Sequence, residues 1–561
     1  MPLDSPCDAA FPRLTEAEMQ VVATLGTVRD FADGDVLFRK GDKDFPFFVV
    51  KAGAIRITET STGEERLVAE HEPGGFSGDI DMLTGRSALV TARAARGLRA
   101  IAVPATRLRR VLSEVPALSD KLLQAFQLRR EILERSGFLG VQLLGRSDSP
   151  AALRIEEFFY KNRVPFRFFD VDEHDGRALA TKWSIDLDHL PAIVAGQKVV
   201  HEPSLSGIAQ CIGISRDIPA EVLDLVIVGA GPSGLAAAVY AGSEGLRTMV
   251  LDMIGPGGQA GSSSKIENYM GFPSGLSGVE LANRGFIQAL KFGVAFNAPI
   301  SVEGIVPRAD GTLELPLCTG AVARTRAVLV ATGVSYRRLP LENCAGLEGA
   351  GVYYAATSVE ARVCRDRLAI VVGGGNSAGQ AAMYLADHAK HVQLILRGDD
   401  LYKSMSSYLA DRVRMHPRIE ILHHTEVEAL AGDAHLQGVT LRDNRTGMLS
   451  HHDCAALFVF VGAKPATEWL PDSIARDAKG FLLTGATAAS SGRWPLQEPP
   501  CELETTMPGV FACGDVRSGT TKRCAFAAGD GALAVTCVHQ FLARESPPGG
   551  AGHAGSRPPR P

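Results

Sequence analysis

The sequence predicts a multidomain α/β protein, and three observations carry the prediction. At 561 residues the chain outgrows a single hydrophobic core, which stops enlarging at roughly 250 to 300 residues. Two stretches, Asp224 to Asp252 and Leu368 to Arg397, each run apolar strand, glycine-rich turn, helix, second apolar strand. Ahead of them lie short β-type runs bounded by turn residues, then a segment in which strands and helices alternate. The bulk numbers exclude several function classes. A net charge of -5 with 22% charged residues gives no electrostatic case for nucleic acid. The opening MPLDSPCDAAFPRL lacks a basic stretch followed by an apolar one, and no uncharged apolar run of about 18 residues occurs, so a cytoplasmic protein without membrane contact is expected. Ten cysteines (7, 211, 318, 344, 364, 454, 501, 513, 524 and 537) stand in no CxxC or other metal-like spacing, which fits a reducing compartment and leaves no metal site expected.

In chain order, Thr15 and Glu18 form a capping box ahead of a helix over 16–25. The runs DVLFRKG, PFFVVKAGAIRITET, ERLVAEH and LRAIAVP follow, with Gly53 between two strands, and read as a small β-roll closed by an amphipathic helix over 118–133. With the GFSGDIDML turn and Arg86-Ser87-Ala88 before another strand, residues 1–136 resemble the cyclic-nucleotide-binding domain family. The resemblance implies a Gly-Glu pair for the ribose 2′-hydroxyl and an Arg-Ser step for the cyclic phosphate. Here those positions are Gly78-Asp79 and Arg86-Ser87. Asp79 is one methylene shorter than the family's Glu, and the stretch to Arg86 is about three residues shorter than the usual pattern. The family's transcription factors follow the roll with a helix-turn-helix, which this chain lacks.

Residues 137–218 read strand GVQLLGR, helix AALRIEEFFYKN, strand FRFFDVD, helix GRALATKW, the strand pair AIVAG and VVHE, and helix SLSGIAQCIG. That order resembles a glutaredoxin-like or thioredoxin-like domain, with Leu190-Pro191 as its cis-proline loop. The family's C-P-x-C would fall on Ser149-Pro150-Ala151-Ala152, so both catalytic cysteines are absent. Without a thiolate at the helix N-terminus there is no nucleophile for disulfide exchange. A structural or docking role follows, with Cys211 a packing residue.

The stretch from Asp224 to Asp252 reads as a dinucleotide-binding βαβ unit. Gly229 permits the turn, Gly231 lets a pyrophosphate approach the helix N-terminus, Gly234 allows close helix–strand packing, and Asp252 would hold ribose hydroxyls. From Val222 to about Arg544 the chain resembles the low-molecular-weight thioredoxin reductase family of flavoproteins. Gly258-Gln259 and Ile266-Glu267-Asn268-Tyr269-Met270-Gly271-Phe272-Pro273 match segments that line the flavin, and Ala331-Thr332-Gly333 matches the family's ATG motif. Gly514-Asp515 matches the pair whose Asp binds the ribityl chain, and Arg523 with Ala527-Ala528-Gly529 matches the next segment. The resemblance implies FAD. It also implies two interleaved Rossmann-like domains, FAD-binding over 222–335 and 465–544 and NADPH-binding over 336–464, and a homodimer.

The second βαβ unit carries Gly373-Gly374-Gly375-Asn376-Ser377-Ala378 and ends its second strand on Arg397. A carboxylate there would take the ribose hydroxyls of NAD, whereas a cation accommodates the 2′-phosphate of NADP, so NADPH is expected. Against the family's HRRDxxR pattern the later arginines are replaced by Gly398 and Tyr402, with Lys403 adjacent.

One departure decides the functional expectation. The resembled reductases carry a redox C-A-T-C where this chain reads Ala355-Ala356-Thr357-Ser358, and Cys364 lies off the motif. Hydride transfer from NADPH to flavin needs only the two nucleotide sites, but the dithiol exit is missing at Ala355 and Ser358. The favoured expectation is an NADPH-dependent FAD oxidoreductase that passes electrons to a diffusible acceptor or small redox protein, with regulation through a cyclic nucleotide at the roll. The alternatives are a thioredoxin-disulfide reductase using other cysteines and a flavin- or nucleotide-sensing scaffold. The stretch TGATAASSGRWPLQEPP is expected to be an exposed loop, and the Pro/Gly-rich tail, 545–561, to be disordered.

Overall fold

The computed structural model of the chain describes residues 9–59, 65–135, 140–147, 149–263, 265–433 and 435–545. The tail expected to be disordered lies, beyond Glu545, outside the described residues.

Thr15 and Glu18 make the expected capping box on the helix Glu16–Ala23. Strands Phe47–Glu59 and Thr91–Val103 pair antiparallel as the spine of the roll, flanked by Thr27–Asp30, Val36–Phe38 and Arg66–His71. Gly53 does not separate two strands. It sits at φ +74° inside one continuous strand whose register shifts around it, because the bulge absorbs the extra residue without breaking the ladder. The helix Pro116–Arg135 closes the roll.

The middle unit has the element order read from the sequence. Its sheet runs Phe166–Asp170, Val141–Gly145, Ala192–Ala195, Lys198–His201, the first pair parallel and the rest antiparallel, and Leu190-Pro191 is cis.

In the C-terminal half, strand Leu223–Val228 lies between Thr248–Leu251 and Val322–Val330, all parallel. The late strand Val510–Ala512 returns to pair with Val328–Val330, and the helix Cys524–Glu545 packs on Pro232–Ser243. Between these two passages a second parallel sheet forms from Val352–Tyr353, Ala456–Val459, Leu368–Val372, His391–Ile395 and Ile419–Leu422. The two domains are therefore interleaved. They are joined by one antiparallel ribbon, Val334–Tyr336 against Ala463–Pro465, where the chain leaves the first domain and comes back. Part of the expected loop before Cys501 is a short helix, Gly485–Ala489, started by a Thr484–Thr487 capping box. Ala486, Ala488 and Ala489 favour that turn once Thr484 caps it.

Candidate functional site

Gly229 ends its strand at φ +108°, and a Cβ there would collide with the Ala331 carbonyl. Gly234 leaves no room for a Cβ beside the Gly229 carbonyl, so helix Pro232–Ser243 packs tightly on the strand, as the spacing requires. Gly231 and Gly258 face one another, a Cβ on Gly258 falling 2.8 Å from the Gly231 Cα. The helix N-terminus, with its unpaired N–H groups, opens beside this pair. Asp252 accepts from the Ala230 N–H at 2.8 Å and from Ile254 and Gly255 N–H at 2.9 and 2.8 Å. A carboxylate offers about four lone-pair positions, so these bonds aim Asp252 and leave acceptor capacity for a ribose hydroxyl.

The remaining flavin-site residues gather around this turn. The Gln259 side-chain amide donates to the Val334 carbonyl, beside Thr332 and Gly333, and Thr332 Oγ1 donates to Ala466 O at 2.8 Å. Both contacts fall on the interdomain ribbon or next to it. Gly514 lies against Ser233, and its N–H donates at 3.1 Å to Asp530, whose carboxylate also accepts from Arg517 at 3.1 and 3.2 Å. Asp515 is half-buried and makes no hydrogen bond among the described residues; burial pushes its carboxyl up against the pull of Lys522. A groove of about 560 Å³ is lined by Pro232, Tyr240, Gly257, Tyr269, Ala528 and Gly529, so three distant segments meet there. Asn268 and Arg523, close in the chain to the lining residues Tyr269 and Ala525, are exposed.

Two contributors escaped the sequence reading. Asp530 fixes the Gly514 turn, and its signal was present as the acid following Ala527-Ala528-Gly529. Tyr336, hydrogen-bonded to Ser262 and pushed up to about 12 by burial, sits on the ribbon, where a lone tyrosine carries no pattern. An opposed glycine pair at a helix N-terminus, an aimed Asp252 and an unspent Asp515 carboxylate fit the pyrophosphate, ribose and ribityl groups of FAD.

In the second domain Gly373 takes φ +140°, with a Cβ excluded by the Phe460 carbonyl at 2.6 Å. The helix Asn376–Ala386 begins directly after Gly375, where nothing crowds a Cβ position. Asn376 Oδ1 accepts from Ser406 N and Oγ at 2.7 and 3.1 Å, Ser377 is exposed and Ala378 is buried. Arg397 is exposed at the strand end with no partner among the described residues. Tyr402, at the position of a later arginine of the pattern, accepts from Arg414 at 3.0 Å and donates to Asp411 at 2.5 Å. The arrangement fits a dinucleotide with an additional phosphate. The ion pair of Arg412 with Glu267 at 2.8 Å bridges the second domain to the first.

Ala355 and Ala356 follow strand Val352–Tyr353, and Ser358 opens the helix Ser358–Ala361. The middle unit covers this region with the helix start where its own cysteines would stand. Leu153 packs on the cluster holding Tyr353, Ala356 and Cys364, Glu156 pairs with Arg362 at 2.7 Å, and Pro150 sits so close to Gly349 that a Cβ there would be 2.8 Å away.

The four cyclic-nucleotide candidates are not brought together. Gly78 and Asp79 line a cavity of about 300 Å³ inside the roll. Arg86 and Ser87 line a different cleft, of about 590 Å³, between the roll and the middle unit. Arg86 donates to the Asn162 carbonyl at 2.5 Å, and Asn162 donates onward to the Ile254 carbonyl at 2.6 Å. Ser87 Oγ would lie 2.8 Å from a Cβ on Gly213, and the Arg216 guanidinium fills the space beside Gly85. Asp79 is held by Arg130 of the closing helix at 2.6 Å, which also pairs with the buried Asp81 at 2.5 Å. Cys501 and Cys537 are disulfide-bonded. That pairing departs from the expectation of wholly reduced, scattered cysteines, and their separation of 36 residues gave no sequence signal. Among the described residues no helix is long and apolar enough to cross a membrane.

Comparisons with known proteins agree with this geometry. The profile described as pyridine nucleotide-disulphide oxidoreductase matches residues 223–531, and that of the cyclic nucleotide-binding domain matches 28–115. Thioredoxin reductase of Treponema pallidum is 32% identical over 57% of this chain and 97% of its own length. That of Mycolicibacterium smegmatis is 32% identical over 58% and 98%. The crystal structure of Lactococcus lactis thioredoxin reductase in its FR conformation superposes at a TM-score of 0.52, with 27% identity over 57% of this chain and 99% of that one. The chain therefore belongs to the pyridine nucleotide-disulphide oxidoreductase family, as a thioredoxin reductase-like oxidoreductase using FAD and NADPH, with a cyclic nucleotide-binding domain at its N-terminus.

Proposed function

We propose that the protein transfers reducing equivalents from NADPH through FAD directly to a diffusible acceptor, without a dithiol relay. The observation that carries this reading is Ala355 with Ser358 at the dithiol position, beneath a middle unit whose own cysteine positions are Ser149 and Ala152. Neither an alanine nor a serine hydroxyl passes electrons to a disulfide. Burial pushes the Cys364, Cys454 and Cys513 thiols up to about 12 and raises Cys344 and Cys524 as well, so none is poised as a thiolate near neutral pH. This weighs against a thioredoxin-disulfide reductase that borrows any of these five cysteines, and leaves the Cys501–Cys537 disulfide as the pair such an enzyme would have to use. The intact nucleotide-binding residues weigh against a mere sensing scaffold.

When bound, FAD supplies a two-electron acceptor for the NADPH hydride and a donor to oxygen, a quinone, a ferric chelate or a small redox protein. The chain's own residues bind and orient. Gly229, Gly231, Gly234 and Gly258 receive the pyrophosphate, Asp252 the ribose and Asp515 the ribityl hydroxyls. Gln259, Asn268, Thr332, Gly333, Gly514 and Arg523 border the ring end. Gly373, Gly375, Asn376, Ser377 and Ala378 seat the NADPH pyrophosphate, with Arg397 on its 2′-phosphate. The middle unit, thioredoxin-like and without catalytic cysteines, occupies the face on which a separate thioredoxin would be reduced. The roll acts as a ligand-responsive module, since its core cluster continues into Phe286, Ile287 and Leu290 of the FAD-domain helix Gly278–Lys291. A cytoplasmic homodimer fits the exposed apolar Tyr240, Met270, Phe526 and Leu533 on the FAD domain. The test is an acceptor screen with stopped-flow detection of flavin bleaching. Turnover with quinones, ferric chelates or oxygen and none with thioredoxin supports the reading, while NADPH-dependent thioredoxin reduction abolished by mutating one cysteine overturns it.

A further inference from the structure

The cavity inside the roll holds only half of the cyclic-nucleotide candidates, Gly78 and Asp79. Its walls are Phe38, Phe45, Ile57, Val68, Val90 and Leu133, which offer an apolar body nothing to hydrogen-bond. The phosphate candidates Arg86 and Ser87 are outside it. The cation that does line it is Arg129 of the closing helix, only 6% exposed. Its guanidinium donates to the carbonyls of Ala10, Phe76 and Gly78 at 2.8, 3.0 and 2.8 Å, and Nη2 has no partner. It makes no ion pair among the described residues, because the nearby Asp79 is taken by Arg130. The other basic side chain in the wall, His71, is buried and held neutral, its pKa pushed well down by burial and by Arg129.

The guanidinium lies over the Phe11 and Phe76 rings at 5.3 and 4.5 Å, and the nearby Asp79 carboxylate that acts on it is shared with Arg130, so the charge is only partly balanced, which is costly for a buried cation unless something supplies more of the opposite charge. Here the space beside it is apolar and, at about 300 Å³, matches the lower end of small-molecule sites. We propose that the roll binds an apolar monoanion, an aliphatic or aromatic carboxylate whose head meets Arg129 and whose body fills the phenylalanine-lined cavity. The site deepens the reading of the roll as a ligand-responsive module and rests on it only for its consequence, since binding is measurable without turnover.

Isothermal titration of the full holoprotein with decanoate, 2-naphthoate, decanol and cyclic AMP tests the assignment. The carboxylates bind saturably, at least tenfold tighter than decanol, and cyclic AMP does not displace them. Arg129→Gln erases the tenfold preference. Val90→Trp fills the cavity and abolishes carboxylate binding while flavin content and basal turnover stay unchanged, so the test stands even if the Arg129 variant does not fold. Equal affinity for decanol, unaltered binding in Val90→Trp, or binding of cyclic AMP alone overturns the proposal. Carboxylate binding that leaves the rate of flavin reduction unchanged instead overturns the regulatory role and leaves the ligand class standing.

Discussion

The FAD cradle and the cyclic-nucleotide cassette of the roll were both legible as motifs, yet only one of them is assembled. In the cradle, glycines from two segments face each other across a helix N-terminus, and Asp252 is aimed by three backbone N–H groups. In the cassette, Gly78-Asp79 and Arg86-Ser87 open into separate cavities, and Arg86 is committed to Asn162 of the middle unit. A motif keeps its chemistry only when its donors converge on one volume. Arg86 and Ser87 serve as contacts with the middle unit, while Gly78 and Asp79 are tied to the roll's own closing helix.

The largest effect that can break this contrast is on flavin content. Gly234→Val drives a side chain into the Gly229 carbonyl, and protein purified from this variant is expected to be folded but colourless by its visible spectrum. Arg86→Ala should keep full flavin content and lose nothing in cyclic-AMP titrations. A Gly234 variant that retains FAD, or an Arg86 variant that alone abolishes nucleotide binding, would reverse the contrast.

Next in size is nucleotide choice. A charge-assisted bond from Arg397 to a 2′-phosphate is worth roughly 1.5 to 3 kcal/mol, about tenfold to a hundredfold. Stopped-flow reduction should therefore favour NADPH over NADH by that factor in the wild type and by none in Arg397→Ala. An unchanged ratio would remove Arg397 from the site.

A smaller effect concerns the pair that bridges the two nucleotide domains. Glu267 and Arg412 are partly exposed, side chains 28% and 47% accessible, and such pairs contribute about 0 to 1 kcal/mol. Glu267→Gln should shift the rate of flavin reduction by no more than about fivefold, in low salt only. A loss of two orders of magnitude would mean that Glu267 does more than hold the domains.

The smallest effect is on stability against pH. His71 is buried, and its folded pKa lies well below the ordinary value because burial disfavours the cation. As pH falls through the unfolded value near 6.5, the unfolded chain takes up a proton that the folded roll refuses, so stability present above that pH is lost below it. Between pH 7 and 5.5 the loss should be about 1 kcal/mol, visible in thermal melts and absent in His71→Phe.

The reductase half was readable because its glycines, acids and strand ends recur at fixed spacings that the backbone geometry demands. Gly229, Gly234 and Asp252 stand where the spacing put them, and Thr15 with Glu18 starts the first helix as written. The ties that close the roll and strap it to its neighbours were not readable. Asn162, Arg129 and Arg130 lie in ordinary helical sequence, and their roles come from partners 33 to 119 residues away. Gly53 misled because a bulge inside a strand and a break between two strands look alike in sequence. The Cys501–Cys537 bond depends on a late strand folding back beside the last helix, which no local pattern encodes.

The central claim is that electrons leave from the flavin and not from a dithiol, and counting electrons tests it most directly. In an anaerobic titration of the holoprotein with NADPH, followed at the flavin absorbance, bleaching should be complete near one equivalent per FAD, because the flavin is the one two-electron store in the proposed path and the Cys501–Cys537 disulfide stands outside it. An endpoint near two equivalents, with a thiolate-to-flavin absorption band appearing midway, would show a redox-active cysteine pair and contradict the account.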